Sequence, residues 1–227
     1  MLLSNKPRNP NGKESKGSCL RAMASEQPEL PQNLLAGLLE LVQALDRLGL
    51  RYALIGGIAA GYRSRPRFTQ DLDFLIEIPQ LVLPGLLEDL KMRGFVFDSA
   101  EVIREWIQHH LSVLSFRGVR IDWLKPLLPI YQHVIDQAKP EDWMGCSIRI
   151  ASSEGLILTK LLAFRGQDQV DIENLLAANR GQLDLDLIRR EWETVAGQDD
   201  PRFQKFNEMA ARLYLPLPAE EPNPKQE

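Results

Sequence analysis

Three aspartates have the residue type and spacing of a cation-binding site. Asp71 and Asp73 stand two residues apart at the head of an apolar strand pattern, so both carboxylates project from one face. Two neighbouring anions repel each other and resist burial unless a cation lies between them. Asp122 lies within a later, mostly apolar strand pattern, where β-propensity disfavours it unless the strand is an edge facing water. The three carboxylates predict a site for Mg²⁺, which takes carboxylate and phosphate oxygens.

Residues close to the aspartate pair have the chemistry of a phosphate-binding turn. Gly56 and Gly57 end the preceding strand pattern and offer backbone amides that a phosphate can approach closely. Thr69 offers a hydroxyl beside the pair, or a cap for the turn. The connecting loop adds positive charge within reach of a triphosphate, from Arg63, Arg65 and Arg67.

An Asp-x-Asp pair alone is a weak signal, and the chain contains a second one, Asp184-Leu185-Asp186. That pair precedes a helical pattern and is predicted to cap the helix and complement its dipole. The first pair differs because it opens a strand and follows a strand, a Gly-Gly turn and an arginine-rich loop. Neither a G-x-x-x-x-G-K-[ST] nor a G-x-S-x-G pattern occurs, which excludes a P-loop enzyme and a nucleophile-elbow hydrolase.

The hydrophobic pattern predicts the elements that position these residues. Strands are predicted at residues 52–55, 72–76, 95–97, 111–116, 119–124 and 147–150, and helices at 34–48, 81–92 and 128–138. A small-residue turn or helix at 58–60 follows the glycine pair. Beyond residue 153 the strand signals stop, and helices are predicted at 154–164, 170–178, 185–195 and 203–214. This order indicates a mixed α/β (α+β) sheet domain followed by a helical portion, with a boundary near residue 151.

Composition limits the classes of function. The chain of 227 residues is 44% hydrophobic and 26% charged with a net charge of −4, which excludes a polycation that coats nucleic acid. Cys19 and Cys146 are too few and too far apart for a disulfide framework or a cysteine zinc site, which favours a reducing cytoplasm. No apolar run reaches the roughly 18 residues of a membrane span, so no membrane partner is expected.

The two ends of the chain have the composition of disordered segments. Residues 1–28 are rich in Lys, Asn, Gly, Ser and Pro and are predicted to be a disordered tail, with Met23 as an alternative start. Residues 216–227 are predicted to be a second tail. Between the tails we expect a sheet domain at 29–151 and a helical domain at 152–215.

These motifs together resemble the DNA-polymerase-beta-like nucleotidyltransferase superfamily, most closely its AbiEii-type branch of abortive-infection toxins. The glycine pair, Asp71-Leu72-Asp73 and Asp122 match the superfamily's parts in order, and residues 67–73 are similar to the branch's R-x-T-x-D-x-D pattern. Residues 153–160, followed by Ala163, Arg165, Asp168 and Asp171, resemble its helical motif. The resemblance covers residues 34–178. Gly57 replaces the Ser of many polymerase-type members, which removes one hydroxyl contact to phosphate.

The resemblance implies a nucleotidyltransferase fold with a mixed central sheet, and transfer of a nucleoside monophosphate from an NTP with release of pyrophosphate. It assigns catalysis and two Mg²⁺ ions to Asp71, Asp73 and Asp122. It assigns nucleotide or phosphate binding to Gly56, Gly57, Arg67, Thr69, Lys160 and Arg165. The acceptor is a hydroxyl of an RNA or tRNA end, a protein or a small molecule, and an antitoxin protein is an expected partner.

Several alternatives stay open at this stage. Arg165 and Asp168 stand three apart, so an intrahelical ion pair explains them without function. Lys160 lies among leucines and would then extend its ammonium from an apolar face to solvent. For the whole chain, the alternatives are a catalytically silent nucleotide-binding or interaction module, and one half of a toxin–antitoxin pair. The histidines, His109, His110 and His133, are expected to be solvated or hydrogen-bonded, and Trp106, Trp123, Trp143 and Trp192 to be core or interface anchors.

Overall fold

A computed structural model describes residues 30–143 and 145–214. The tails predicted at 1–28 and 216–227 lie outside the described residues, as does Cys19.

Seven strands form one mixed sheet. The strands are β1 (Arg51–Ile55), β2 (Asp71–Glu77), β3 (Phe95–Val96), β4 (Leu111–Phe116), β5 (Val119–Leu124), β6 (Lys139–Trp143) and β7 (Cys146–Ile150). Their order across the sheet is β3-β4-β5-β2-β1-β7-β6. β2 runs parallel to β5 and β1 runs parallel to β7, while the remaining neighbours are antiparallel. The first Asp-x-Asp pair therefore opens the central strand.

Helices surround the sheet and make up the second part of the chain. They are α1 (Gln32–Arg47), α2 (Gly56–Arg63), α3 (Leu83–Met92), α4 (Ser99–Gln108), α5 (Pro129–Gln137), α6 (Ser153–Ala163), α7 (Gly166–Ala178), α8 (Leu185–Glu193) and α9 (Pro201–Tyr214). The predicted class, a mixed α/β sheet followed by a helical portion, is confirmed.

One face of the sheet is closed by α1 and α4. The leucines of α1 at helical spacing are fully buried, and Gly37 lets the helix approach the ring of Phe116 on β4. The Ser112 hydroxyl on the same face of β4 donates to the Val102 carbonyl of α4 over 3.0 Å. Trp106 of α4 meets Trp123 of β5 edge to face, and both rings are buried. The opposite face of β4 and β5, which includes Asp122, points away from these two helices.

The helical portion is connected to the sheet through α6, which is apolar on nearly all sides and buried. The Ser152 hydroxyl accepts the Gly155 amide and begins the helix. Phe164 adopts a left-handed conformation (φ 48°) that ends α6, and Arg165 at once caps α7. This tight corner sets the basic end of α6 against the acidic start of α7.

Two elements were not predicted from the sequence, α4 and β6. In α4, the Asp98 side chain accepts the Glu101 amide, and the helix buries Val102 and Trp106. The capping residue and the helical spacing of these two apolar residues were therefore a signal for a helix in the sequence. β6 has no alternation of apolar and polar residues, and Pro140 and charged side chains mark it as an edge strand that only its pairing with β7 defines. The other predicted elements are present, with ends displaced by a few residues; α7 begins at Gly166, four residues before its predicted start.

The prediction for the tryptophans and for two of the three histidines is confirmed, whereas His133 has a buried Nε2 atom without a hydrogen-bond partner among the described residues. All four tryptophans are buried, and His109 and His110 are exposed. The Nδ1 atom of His133 lies 3.2 Å from the Glu191 carboxylate. Within residues 30–143 and 145–214, no helix combines the length and the apolar composition that crossing a membrane requires.

Candidate active site

The strand pairing brings the three predicted aspartates together on one face of the sheet. In the parallel pair of β2 and β5, Asp73 stands opposite Asp122 and Asp71 stands opposite Arg120. Asp71 and Asp73 are two apart on β2, so their side chains share this face. We call Asp71, Asp73 and Asp122 the carboxylate trio.

The glycine pair makes room for the groups around the trio. Gly56 has φ +69°, and a Cβ there would stand 2.5 Å from Cγ and 2.7 Å from Cβ of Asp73. A Cβ on Gly57 would stand 2.7 Å from Nη2 of Arg67 and 3.1 Å from Oγ1 of Thr69. Real Cβ contacts do not come so close, so a side chain at either position would displace a residue of the site. The two glycines also begin α2, and the Gly57 amide donates a hydrogen bond to Asp73.

Asp73 lies in the least favourable electrostatic environment of the trio. Burial, together with the charges of Asp71 and Asp122, raises its pKa from 3.8 to about 6, against smaller opposing effects of Lys160 and the Gly57 amide. Asp71 accepts a hydrogen bond from the Thr69 hydroxyl. Asp122 accepts one from Nε of Arg120 at 2.7 Å.

A second group of charges faces the trio across the cleft. Three cations, Arg67, Lys160 and Arg165, form what we call the cation wall. Nζ of Lys160 lies 3.0 Å from Asp168 and 2.8 Å from Asp171, and its side chain is only 6% exposed. Lys160 therefore lies inside an ion network and does not extend to solvent, contrary to the simpler alternative.

Two buried aspartates hold the cation wall in place. Asp171 binds Arg67 with both oxygens, at 2.9 Å from Nε and 3.1 Å from Nη2. Asp168 accepts the Arg165 amide at 3.0 Å and its Nε at 2.8 Å, so the intrahelical pair exists within the larger network. Burial by itself raises the pKa of both carboxyls, but hydrogen bonds from Arg165 and Lys160 to Asp168, and from Arg67 and Lys160 to Asp171, outweigh it and lower both pKa values.

The trio and the cation wall line one cleft of about 370 Å³. Every residue that the sequence analysis placed in the site contributes to its lining, namely Gly56, Gly57, Arg67, Thr69, Asp71, Asp73, Asp122, Lys160 and Arg165. Of the other loop arginines, Arg63 turns away to Glu141 at 2.8 Å and to the Ala151 carbonyl, and Arg65 is exposed.

Three further residues that line the cleft were not predicted from the sequence. Tyr131 of α5 and Thr159 of α6 line it, and so does Gln167, whose amide donates to Asp171 at 3.1 Å. The sequence carried no signal for Tyr131, because its place in the cleft depends on how α5 packs against α6, β1 and β2. Gln167 had one signal, its i,i+4 spacing from Asp171.

The donor chemistry of the trio fits Mg²⁺. Its ligand atoms are all oxygens, and the repulsion that raises the pKa of Asp73 is what a cation would relieve. Asp122 is bonded to Arg120, and the described residues contain no group of three or more His, Cys, Asp or Glu side chains arranged to hold a metal ion. Asp71 and Asp73 still supply the one or two carboxylates that Mg²⁺ takes when phosphate and water complete its shell.

Comparisons with known proteins point to one kind of enzyme. Residues 34–206 match the family described as "Nucleotidyl transferase of unknown function (DUF2204)". No curated protein matches the chain significantly.

Solved structures align with much of this chain at low sequence identity. An antigenic nucleotidyltransferase-like protein from Paracoccidioides brasiliensis is 18% identical with a TM-score of 0.46, over 79% of this chain and 88% of its own. ANT(2")-Ia, solved in complex with adenylyl-2"-tobramycin, is 15% identical with a TM-score of 0.43, over 79% and 98%. The lincosamide antibiotic adenylyltransferase LnuA, lincomycin-bound, is 16% identical with a TM-score of 0.43, over 66% and 99%.

Proposed function

Because the chain belongs to the family described as "Nucleotidyl transferase of unknown function (DUF2204)", we propose that it transfers a nucleoside monophosphate from an NTP to a hydroxyl acceptor and releases pyrophosphate. The observation that carries the proposal is the cleft itself. It has the carboxylate trio on one side and the cation wall on the other, with the Gly56-Gly57 turn between them. This separation of charge suits a triphosphate bound together with a divalent cation.

The cation wall would bind the phosphates. Its three cations are balanced by only two carboxylates, Asp168 and Asp171, so the group keeps a positive charge toward the cleft. Arg165 is 77% exposed at its side chain although Asp168 binds its Nε, whereas Lys160 is 6% exposed and fixed between two carboxylates. The amides at the start of α2 add donors of the kind that bind anions at helix N-termini.

The carboxylate trio would hold Mg²⁺, with two ions proposed. When bound, Mg²⁺ supplies Lewis-acid stabilisation of the charge that develops on the phosphate oxygens during transfer. Asp71 and Asp73 would provide the carboxylate ligands, and the Thr69 hydroxyl orients Asp71 for this role.

The acceptor would approach on the side of Asp122. The face of β4 and β5 beside Asp122 points away from α1 and α4, which leaves room for it. In the proposed step, the acceptor oxygen attacks the α-phosphorus and passes its proton to Asp122. The new O–P bond forms as the bond from the α-phosphorus to the bridging oxygen breaks, and that oxygen leaves with pyrophosphate.

We extend this proposal to a role as the toxin of a toxin–antitoxin system. It is supported by the R-x-T-x-D-x-D pattern at 67–73 and by the helical motif, which the AbiEii-type branch shares. On this basis the acceptor is an RNA or tRNA end or a protein, and a partner antitoxin would control the enzyme. A small-molecule acceptor is the remaining choice.

Labelling with each α-³²P-NTP and Mg²⁺, in the presence of total RNA or cell-extract protein, tests the function and identifies the acceptor. Asp71→Asn, Asp73→Asn and Asp122→Asn should each lower transfer by at least about 10²-fold, because each removes a ligand or the proton acceptor. Asp186→Asn, in the chain's second Asp-x-Asp pair on α8, is the matched control and should keep full activity. Full activity in the Asp71 or Asp73 variant, with native circular dichroism, would contradict the mechanism. Nucleotide binding without transfer to RNA, protein or hydroxylated antibiotics would favour the silent module.

A further inference from the structure

Arg120 is the cation bonded directly to the carboxylate trio. Its Nε donates to Oδ1 of Asp122 at 2.7 Å, and its backbone position on β5 stands opposite Asp71 on β2. The three residues of the cation wall bond instead to Asp168 and Asp171. Arg120 therefore belongs to the trio's side of the cleft.

The charges of the trio act on Arg120 together. The hydrogen bond to Asp122 is the main cause that raises the pKa of Arg120, and the charges of Asp122, Asp71 and Asp73 contribute to it. A guanidinium stays protonated in a protein, so Arg120 cannot release Asp122 by losing its charge. The ion pair breaks only when the side chain moves. In the arrangement described here, it partly neutralises three carboxylates.

The ion pair between Arg120 and Asp122 can separate at low energetic cost. The Arg120 side chain is 59% exposed, whereas that of Asp122 is 17% exposed. An ion pair with one exposed partner contributes about 0–1 kcal/mol to stability, so separating it costs the fold little. A divalent ion with direct carboxylate ligands competes well against such a pair.

We propose that Arg120 is a positioning residue that holds the Asp122 carboxylate in an ion pair until a divalent cation displaces it. The inference rests on the proposed function, since it describes control of the same site. The ion pair with Arg120 and the binding of a divalent ion would compete for the Asp122 carboxylate. Once a divalent ion binds, Arg120 moves aside, and Asp122 becomes free for the metal and for the acceptor's proton.

Binding of Mn²⁺ to the full chain without nucleotide, followed by electron paramagnetic resonance, tests this competition. Arg120→Gln removes the competing charge and keeps an amide near Asp122, so we expect Mn²⁺ to bind about threefold to tenfold more tightly. Arg120→Lys keeps the charge and should return the Kd close to that of the wild type. Arg117→Gln is the matched control, because Arg117 is exposed on the same hairpin and its guanidinium lies over the Phe116 ring.

The NMR signal of the Arg120 side chain gives a second readout. In ¹H–¹⁵N spectra of arginine Nε–H groups, the Arg120 signal should shift on addition of Mg²⁺ to the wild type and stay unchanged in Asp73→Asn. A Kd for Arg120→Gln equal to or weaker than that of the wild type, or an Arg120 signal that ignores Mg²⁺, overturns the inference. The labelling experiment decides the proposed function separately, since transfer can be metal-dependent whether or not Arg120 competes.

Discussion

Asp73 is the residue at which activity and stability oppose each other. It is largely buried beside Gly56, and its neighbours on the same sheet face are two further carboxylates. Its raised pKa of about 6 means that the folded protein bears a cost for keeping the group ionised at neutral pH. Sites that concentrate like charges in this way commonly sacrifice stability for function.

The pKa of Asp73 gives a prediction for stability. Because its folded pKa of about 6 lies above the ordinary 3.8, the folded state binds the proton more tightly, and this residue's contribution to stability falls as pH rises from about 4 to about 6. With chelator at pH 7.5, Asp73→Asn should therefore raise the Tm by roughly 2–6 °C.

The same comparison at lower pH supplies the control. Near pH 3 the wild-type carboxyl is protonated in the folded state and mostly protonated in the unfolded state, so the two Tm values should converge. A variant that is less stable than the wild type at pH 7.5, or a difference that does not change with pH, would contradict this account of Asp73.

At the residue scale, local spacing predicted one part of the site. Two-residue spacing on a strand was sufficient to place Asp71 and Asp73 on one face. The pairing of Asp73 with Asp122 depends on β2 and β5 becoming neighbours, which no local pattern encodes. Gly57 was expected to admit a phosphate to the backbone, and the structure adds that it makes space for Arg67 and Thr69.

At the element scale, the corner between α6 and α7 connects the helical portion to the face of the sheet that carries the carboxylate trio. Asp171 of α7 binds Lys160 of α6 and Arg67 of the loop that leads into β2. Asp171 is 3% exposed at its side chain, so its loss would leave Lys160 with one carboxylate fewer in buried surroundings. The corner therefore supports both the fold and the cation wall.

Asp171→Ala should lower the free energy of unfolding by about 3–5 kcal/mol, the usual cost of removing one partner of a buried ion pair. Urea unfolding at pH 7.5 measures it. Asp186→Ala is the control, because Asp186 pairs with Arg189 on the exposed surface of α8, and it should cost about 1 kcal/mol or less. Equal costs for the two variants would show that the network does not stabilise the corner.

The elements themselves were predictable where hydrophobic periodicity defined them. β4, β5 and α1 follow their alternating or helical patterns closely, because each buries one face, and β2 follows its apolar run because it is buried on both faces. β6 could not be predicted, since an edge strand of mostly charged residues is defined by its partner and not by its own pattern. α2 was left as a turn or a helix, because small residues fit both.

At the scale of the whole molecule, the cleft draws its residues from both parts of the chain. The sheet part contributes the carboxylate trio and the glycine pair, and the helical part contributes Lys160 and Arg165. The separation of Lys160 and Arg165 from the trio in the sequence did not show that they are close in space, so these two residues could be assigned to the site only by resemblance. A domain boundary near residue 151 stays a prediction.

The central claim is that the cleft transfers the α-phosphoryl group with its nucleoside and releases the other two phosphates. Parallel reactions with α-³²P-NTP and γ-³²P-NTP, on the acceptor that the labelling experiment identifies, test it most directly. We predict that the α label enters the acceptor and the γ label leaves as pyrophosphate, both dependent on Asp71 and Asp73. Entry of the γ label into the acceptor, or its release as inorganic phosphate without α transfer, would contradict the claim and indicate a phosphotransferase or a hydrolase.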